Sequence, residues 1–294
     1  MTRRQLLAGM AASPLAAQFR PGNGPKIRTT PAVCLYSQVL IKVEYPDLGE
    51  VLKALGFDGC DLSVQPGGHV TPAKAPADLM RAVEAITGVG VDVPMISTAA
   101  TNMRNPEDRN VLAIVGEMGV PYFRPGYWRY ADAPDLDQRL VQIQRDMAEL
   151  VSIGRAVNMQ MGIHNRTGDY FGAAIWDTQM VIRALDARTA GYDYDIGYAS
   201  AAGGPDGWPV TLKLVQPRLK MATIRDFKWK DGKPSPCPLG EGVVDFPAFF
   251  SALAKSKFTG PISIQVDHEP ANLLPGVKQD LAFVRKQISA AYGN

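Results

Sequence analysis

From Pro31 onward, short β-rich apolar runs alternate with longer stretches in which apolar residues recur every three or four positions. Eight such pairs can be counted. The predicted strands are Ala32 to Leu40, Gly59 to Val64, Val91 to Thr98, Pro121 to Pro125, Met159 to Asn165, Tyr192 to Ala199, Lys220 to Asp226 and Pro261 to Asp267. The clearest helix runs from Asp137 to Ala156, where Leu140, Ile143, Met147, Leu150 and Val151 form one apolar face. Gly56, Gly119, Gly191 and Gly260 stand just ahead of strands, where a residue tolerating positive φ is useful. The Pro-rich stretch Gly232 to Pro238 reads as a long loop after the seventh strand. Strands alternating with helical crossovers predict an α/β fold, and eight units in a row predict closure into a single (β/α)8 TIM barrel. An open doubly wound sheet is the alternative, but no GxGxxG follows the first strand.

In such a barrel the active site lies at the carboxyl ends of the strands. All three histidines fall there: His69 after the second strand, His164 at the end of the fifth, His268 after the eighth. Strand alternation then selects the side chains that share the interior. It points Ser263, Gln265 and Asp267 inward, opposite Ile262, Ile264 and Val266. It puts Gln160, Gly162 and His164 on one face of the fifth strand, and Asp193 with Asp195 on one face of the sixth. Arg124, Asn165, Asp226, Lys228 and Glu269 join the rim, with Tyr127, Trp128, Tyr198 and Trp229 nearby. Any one polar residue at a loop end is equally explained by solvation. Together they suit a polyhydroxylated ligand, since amides and carboxylates bond hydroxyls while aromatic faces cover the apolar side of a sugar. Asn165, Gln265, Tyr127 and Trp229 are the candidate substrate contacts.

Length and composition add bounds. The chain has 294 residues, 46% hydrophobic and 20% charged, and a formal charge of +2. That suits one barrel of about 250 residues, and no apolar segment reaches the roughly 18 residues of a membrane helix. Three separated cysteines, Cys34, Cys60 and Cys237, fit buried thiols better than disulfides or a zinc cluster. Residues 1–18 place Arg3 and Arg4 directly before the apolar run Leu6 to Ala17, the pattern of a twin-arginine export signal, and predict a periplasmic protein. Residues 19–30 are read as a linker and 31–294 as the barrel.

The segments Phe57-Asp58-Gly59-Cys60-Asp61-Leu62, Pro66-Gly67-Gly68-His69-Val70, Ile163-His164-Asn165, Tyr194-Asp195-Ile196-Gly197, Arg225-Asp226-Phe227-Lys228-Trp229, Leu239-Gly240-Glu241-Gly242 and Gly260-Pro261-Ile262-Ser263 resemble the sugar phosphate isomerase/epimerase superfamily of xylose-isomerase-like barrels. The resemblance covers nearly the whole chain after Pro31. For metal-dependent members it implies one divalent ion (manganese, zinc, cobalt or magnesium) held by Glu, Asp, His and Glu from strands five to eight, polarising a carbonyl while a carboxylate removes the adjacent proton. The corresponding positions here are His164, Asp195, Thr223 and Gln265, or Asp267 if the register of the eighth strand is two residues on. Only the aspartate is kept. The expectation is therefore a metal held by His164, Asp195 and Gln265 or Asp267, or no metal. Tyr198 and Arg166 stand where related sequences often carry histidines.

Two functions follow. One is an isomerase, epimerase or proton-abstracting lyase acting on a sugar or oxidised sugar. Its candidate bases are Asp195, Asp267 and Glu269, its candidate acids or ligands His69, His164 and His268, and Arg124 with Lys228 would hold hydroxyls or stabilise a developing enediolate, with Asp226 on the same rim. The other is a non-catalytic periplasmic sugar-binding protein on a metal-depleted barrel. Nuclease activity is disfavoured, since three histidines and near-neutral charge give neither a multinuclear zinc site nor a phosphate-binding footprint.

Overall fold

The computed structural model describes residues 28–293 apart from Asp132 and Ala271. The twin-arginine segment and most of the linker lie outside the described residues. Arg28, at the linker's end, is already tied to the barrel through Asp92 (2.9 Å) and Asp58 (3.6 Å).

Eight parallel strands close into a barrel. They are β1 (Val33–Tyr36), β2 (Gly59–Val64), β3 (Asp92–Thr98), β4 (Tyr122–Arg124), β5 (Gln160–His164), β6 (Ala190–Asp195), β7 (Leu219–Ile224) and β10 (Ile262–Ile264), with β1 paired to both β2 and β10. The helices are α1 (Tyr45–Leu55), α2 (Ala75–Gly88), α3 (Pro106–Glu117), α4 (Leu136–Ala156), α5 (Trp176–Ile182), α6 (Ile196–Val215), α7 (Phe246–Lys255) and α8 (Leu273–Tyr292). No described helix is long and apolar enough to cross a membrane.

Local chemistry sets the boundaries. Asp135 and Asp245 cap α4 and α7 through the N–H groups of Gln138 and Ala248. Gly56, at φ 94°, ends α1 in the left-handed conformation. The sixth strand stops at Asp195, short of the predicted Ala199, because the Asp195 carboxylate caps the N–H of Tyr198 and starts α6. The expectation for Gly191 and Gly260 is corrected: neither has positive φ. Each instead permits close backbone approach, since a Cβ would lie 2.0 Å from the Arg218 carbonyl at Gly191 and 2.3 Å from that of Lys220 at Gly260.

The Pro-rich loop is also corrected. It is half of an antiparallel hairpin, β8 (Asp226–Lys230) with β9 (Lys233–Cys237), turned by Asp231 and Gly232 at φ 51° and 71°. Two successive positive φ values match the twist of paired strands. Pro234 and Pro236 face Trp229 and Phe227, the positions where no N–H points at the partner strand, so their missing donors leave the ladder intact.

Alternation divides the strands as expected. Leu62, Ile96, Phe123, Ile163, Tyr194, Ile224, Ile262 and Ile264 are fully or almost fully buried in the apolar core. The polar interior holds Asp61, Ser63, Ser97, Arg124, His164, Asp193, Asp195, Thr223, Ser263 and Gln265, all buried. Removing so many polar groups from water is costly unless they bond one another, so their pairing defines the site. All three cysteines are buried free thiols.

Candidate active site

The interior polar groups form two layers, one two residues further along the strands than the other. In the deeper layer Asp61, wholly buried, accepts from Ser97 (2.6 Å) and Ser263 (2.7 Å). Asp193 accepts from Thr223 (2.8 Å). Arg124, at the end of β4, stands between these carboxylates at 3.9 and 3.7 Å, its guanidinium 5.0 Å from the centre of the Tyr36 ring. Burial pushes Asp193 up to about 7 despite Arg124, and raises Asp61 likewise. Burial alone would lower Arg124, but Tyr127, Asp61 and Asp193 outweigh it, so the guanidinium stays charged.

The upper layer is a chain of contacts around the rim. Tyr127 Oη lies 2.9 Å from His164 Nδ1, His164 Nε2 lies 3.2 Å from Asp195 Oδ2, and Arg225 Nε donates to the same oxygen at 2.7 Å. Arg225 Nη1 continues to Asp267 and to Tyr198 Oη (3.1 Å), and its guanidinium stacks 4.1 Å from the Tyr198 ring centre. Burial pushes His164 down to about 3, so its imidazole is neutral. Burial would raise Asp195, but Arg225 and His164 hold it below the usual carboxylate range. A neutral imidazole beside an ionised carboxylate carries its proton on Nε2, so Nδ1 accepts from the Tyr127 phenol. Asn165 clamps the base of this chain, donating to the Asp195 carbonyl (2.9 Å) and accepting from its N–H (2.7 Å).

Of the predicted residues, the structure thus brings together Arg124, Tyr127, His164, Asn165, Asp195 and Asp267. Gln265, buried, lies alongside with its amide 3.5 Å from Ser263 Oγ. The others are engaged elsewhere. Asp226 accepts four backbone N–H groups, from Phe227, Gly240, Gly242 and Val244, and so pins the loop that follows the hairpin. His69 ties two loops together, with Nε2 at 3.1 Å from the Leu40 carbonyl and Nδ1 at 3.4 Å from Ser63 Oγ. His268 faces Asp280 at 3.7 Å against α8. Lys228 pairs with Glu241 on the exposed hairpin, where Trp229 packs edge-on against Phe227, and Glu269 is solvent-exposed.

Arg225 and Asp61 are the residues that sequence reasoning missed. Both were visible by alternation: Arg225 shares parity with Thr223, and Asp61 with Ser63. Asp226 and Lys228 have the opposite parity to Thr223, which is why neither reaches the interior.

The residues do not suit a divalent ion. Thr223 turns its hydroxyl to Asp193, and the Asp195 oxygen that His164 approaches already accepts from a guanidinium. Glu, Asp, His and Glu would carry three negative charges. Neutral His164, Asp195, Thr223 and Gln265 carry one, which Arg225 cancels, so the electrostatic pull on a dication is largely gone. Among the described residues no group of three or more His, Cys, Asp or Glu side chains is placed to hold a metal.

The fold and site define a (β/α)8 barrel with a buried polar centre at the carboxyl ends of its strands. A model of the Xylose isomerase-like TIM barrel family matches residues 50–287, and the chain belongs to that family. No curated protein matches the chain. Among solved structures it is similar to the 3-keto-D-glucoside 4-epimerase YcjR of E. coli (TM-score 0.71, 14% identity, covering 87% of this chain and 100% of that one). It is also similar to the D-psicose 3-epimerase of Clostridium cellulolyticum H10 (0.69, 13%, 87% and 99%) and to the IOLI protein with a zinc atom (0.73, 12%, 90% and 100%). At such identities the likeness is one of fold.

Proposed function

We propose that the protein is a carbohydrate isomerase or epimerase, or a related lyase, that moves a proton at the carbon beside a carbonyl of a sugar or oxidised sugar. One observation carries this reading: the Arg225 guanidinium is held between the carboxylates of Asp195 and Asp267 at the mouth of the barrel. Asp267 is partly exposed, within reach of a ligand, and is the candidate base, while Asp195 is buried and fixes the arginine. Tyr127 and Arg166, whose guanidinium lies 4.6 Å from the Tyr127 ring centre, supply hydroxyl-binding groups beside them. The sugar epimerases that share this fold support the substrate class, and the 3-keto-D-glucoside 4-epimerase among them supports an oxidised sugar. Nothing favours the non-catalytic sugar-binding alternative over this reading. Export through the twin-arginine pattern at Arg3 and Arg4 belongs to the same proposal.

The test is solvent exchange. Ketoses, aldoses and 3-keto-glucosides are incubated with the protein in deuterated water and followed by NMR. Deuterium entering beside the carbonyl, and lost in Asp267→Asn, is the expected result. A protein that shifts its melting temperature with these sugars yet exchanges nothing would be a binder, and the enzymatic reading would fall.

A further inference from the structure

The site carries a positive charge where the resemblance implies a metal, and the charge belongs to the chain itself. We infer that Arg225 is the electrophile of this active site, doing without a dication what the ion would do. The inference rests on the reading of the site as one that handles a sugar carbonyl.

Three observations support it. First, the Nε and Nη1 groups of Arg225 are used to fix it, on Asp195, Tyr198 and Asp267, while Nη2 makes no hydrogen bond among the described residues. The anchored half sets direction, and the free amino group has two N–H donors left for a ligand oxygen. Second, Tyr198, at a position where the resemblance leads one to expect a histidine, is the surface on which the guanidinium lies, 4.1 Å from its ring centre. Third, the backbone makes room for this arginine. A Cβ on Gly197 would fall 2.3 Å from Arg225 Cγ and 2.9 Å from its carbonyl oxygen, so the first turn of α6 admits the side chain only because residue 197 is glycine.

The chemistry balances without an added reagent. The C–H bond beside the carbonyl breaks and its proton passes to the Asp267 carboxylate. The C–H electron pair becomes a carbon–carbon double bond, the carbonyl π pair moves onto oxygen, and the resulting enediolate oxygen takes hydrogen bonds from Arg225 Nη2. Return of the proton to the former carbonyl carbon, with the neighbouring hydroxyl's proton passing to the enediolate oxygen, completes an isomerisation, and protonation of the original carbon on its opposite face an epimerisation. A fixed guanidinium at a developing oxyanion acts with little reorganisation, and losing one such donor typically costs about a hundredfold or more.

The experiment has a readout independent of turnover. A sugar-derived hydroxamate, an enediolate mimic, is titrated by calorimetry into the full-length protein in the presence of a strong chelator, and metal content is measured on protein purified without one. Expected are no stoichiometric divalent metal, hydroxamate binding that survives the chelator, and a loss of about a hundredfold in Arg225→Met that Arg225→Lys partly restores. Circular dichroism and melting establish that both variants fold. Stoichiometric metal that disappears in Asp195→Asn, hydroxamate binding only when manganese or zinc is added, no binding to the wild type, or binding unchanged in Arg225→Met would each overturn the inference. If the hydroxamate binds as expected while no sugar exchanges deuterium, the electrophile stands and the sugar-epimerase reading is what fails.

Discussion

Asp193 Oδ2 and Arg124 Nη1 face each other at 3.7 Å inside the barrel, and neither atom has a hydrogen-bond partner. A buried ion pair set apart in this way does not recover its full desolvation cost, and Asp193 is accordingly pushed up to about 7 by burial. The folded state therefore holds this proton more tightly than the unfolded chain, whose carboxyl titrates near 4. Stability contributed by the protonated form is present below that value and is lost as pH rises towards 7. Urea denaturation of wild type and Asp193→Asn at pH 5, 6, 7 and 8 is expected to show wild type losing ground to the variant between pH 5 and 7, then levelling. A gap independent of pH would mean that Asp193 is ionised throughout.

His164 has the opposite sign. Burial lowers it to about 3, so the unfolded chain takes up a proton before the folded protein does, and stability falls as pH drops from about 6.5 towards 3. Nitrogen NMR of the labelled protein is expected to find one neutral imidazole, protonated on Nε2, unchanged between pH 8 and 5. An imidazolium signal at pH 6 would break the Tyr127 to His164 to Asp195 chain.

Asp226→Ala is expected to destabilise the fold by about 3 kcal/mol, because four backbone N–H groups lose their shared acceptor and a buried donor left unmet costs about 1 to 3 kcal/mol before water relieves it. Hydrogen exchange should accelerate at Gly240, Gly242 and Val244. Hydroxamate affinity measured on the folded fraction should stay within a few-fold of wild type, since Asp226 points away from the interior.

Gly197→Ala is expected to weaken hydroxamate binding by about tenfold or more while leaving the far side of the barrel folded, because the new methyl group displaces Arg225. Unchanged affinity would show that the arginine has slack.

Replacing Arg3 and Arg4 together by lysine is expected to hold the protein in the cytoplasm, read by fractionation of expressing cells. Equal export of both forms would remove the twin-arginine reading.

The barrel was legible because a two-residue period and a helical period follow directly from what faces solvent and what faces the core. The same rule placed His164, Asp195 and Gln265 inside. It was not carried past the end of β7, where Asp226 and Lys228 fall on the parity opposite to Thr223. Asp226 lies just past β7 and looks like a rim carboxylate, but its role depends on Gly240, Gly242 and Val244, which reach it only once the hairpin has folded. Arg225 was passed over for a different reason. A charged residue beside an aspartate and a lysine reads as solvated surface until Asp195 and Asp267, 30 and 42 residues away, close on it.

The prolines of β9 have a consequence outside the site. At Pro234 and Pro236 the amide nitrogens turned away from β8 carry no hydrogen, so the hairpin's free border offers carbonyl oxygens there but no donors. A strand from another molecule needs both to extend a sheet. The hairpin thus protrudes beside the barrel mouth as a structure that cannot be lengthened from that border, and crowded copies of the protein have no template there for joining edge to edge.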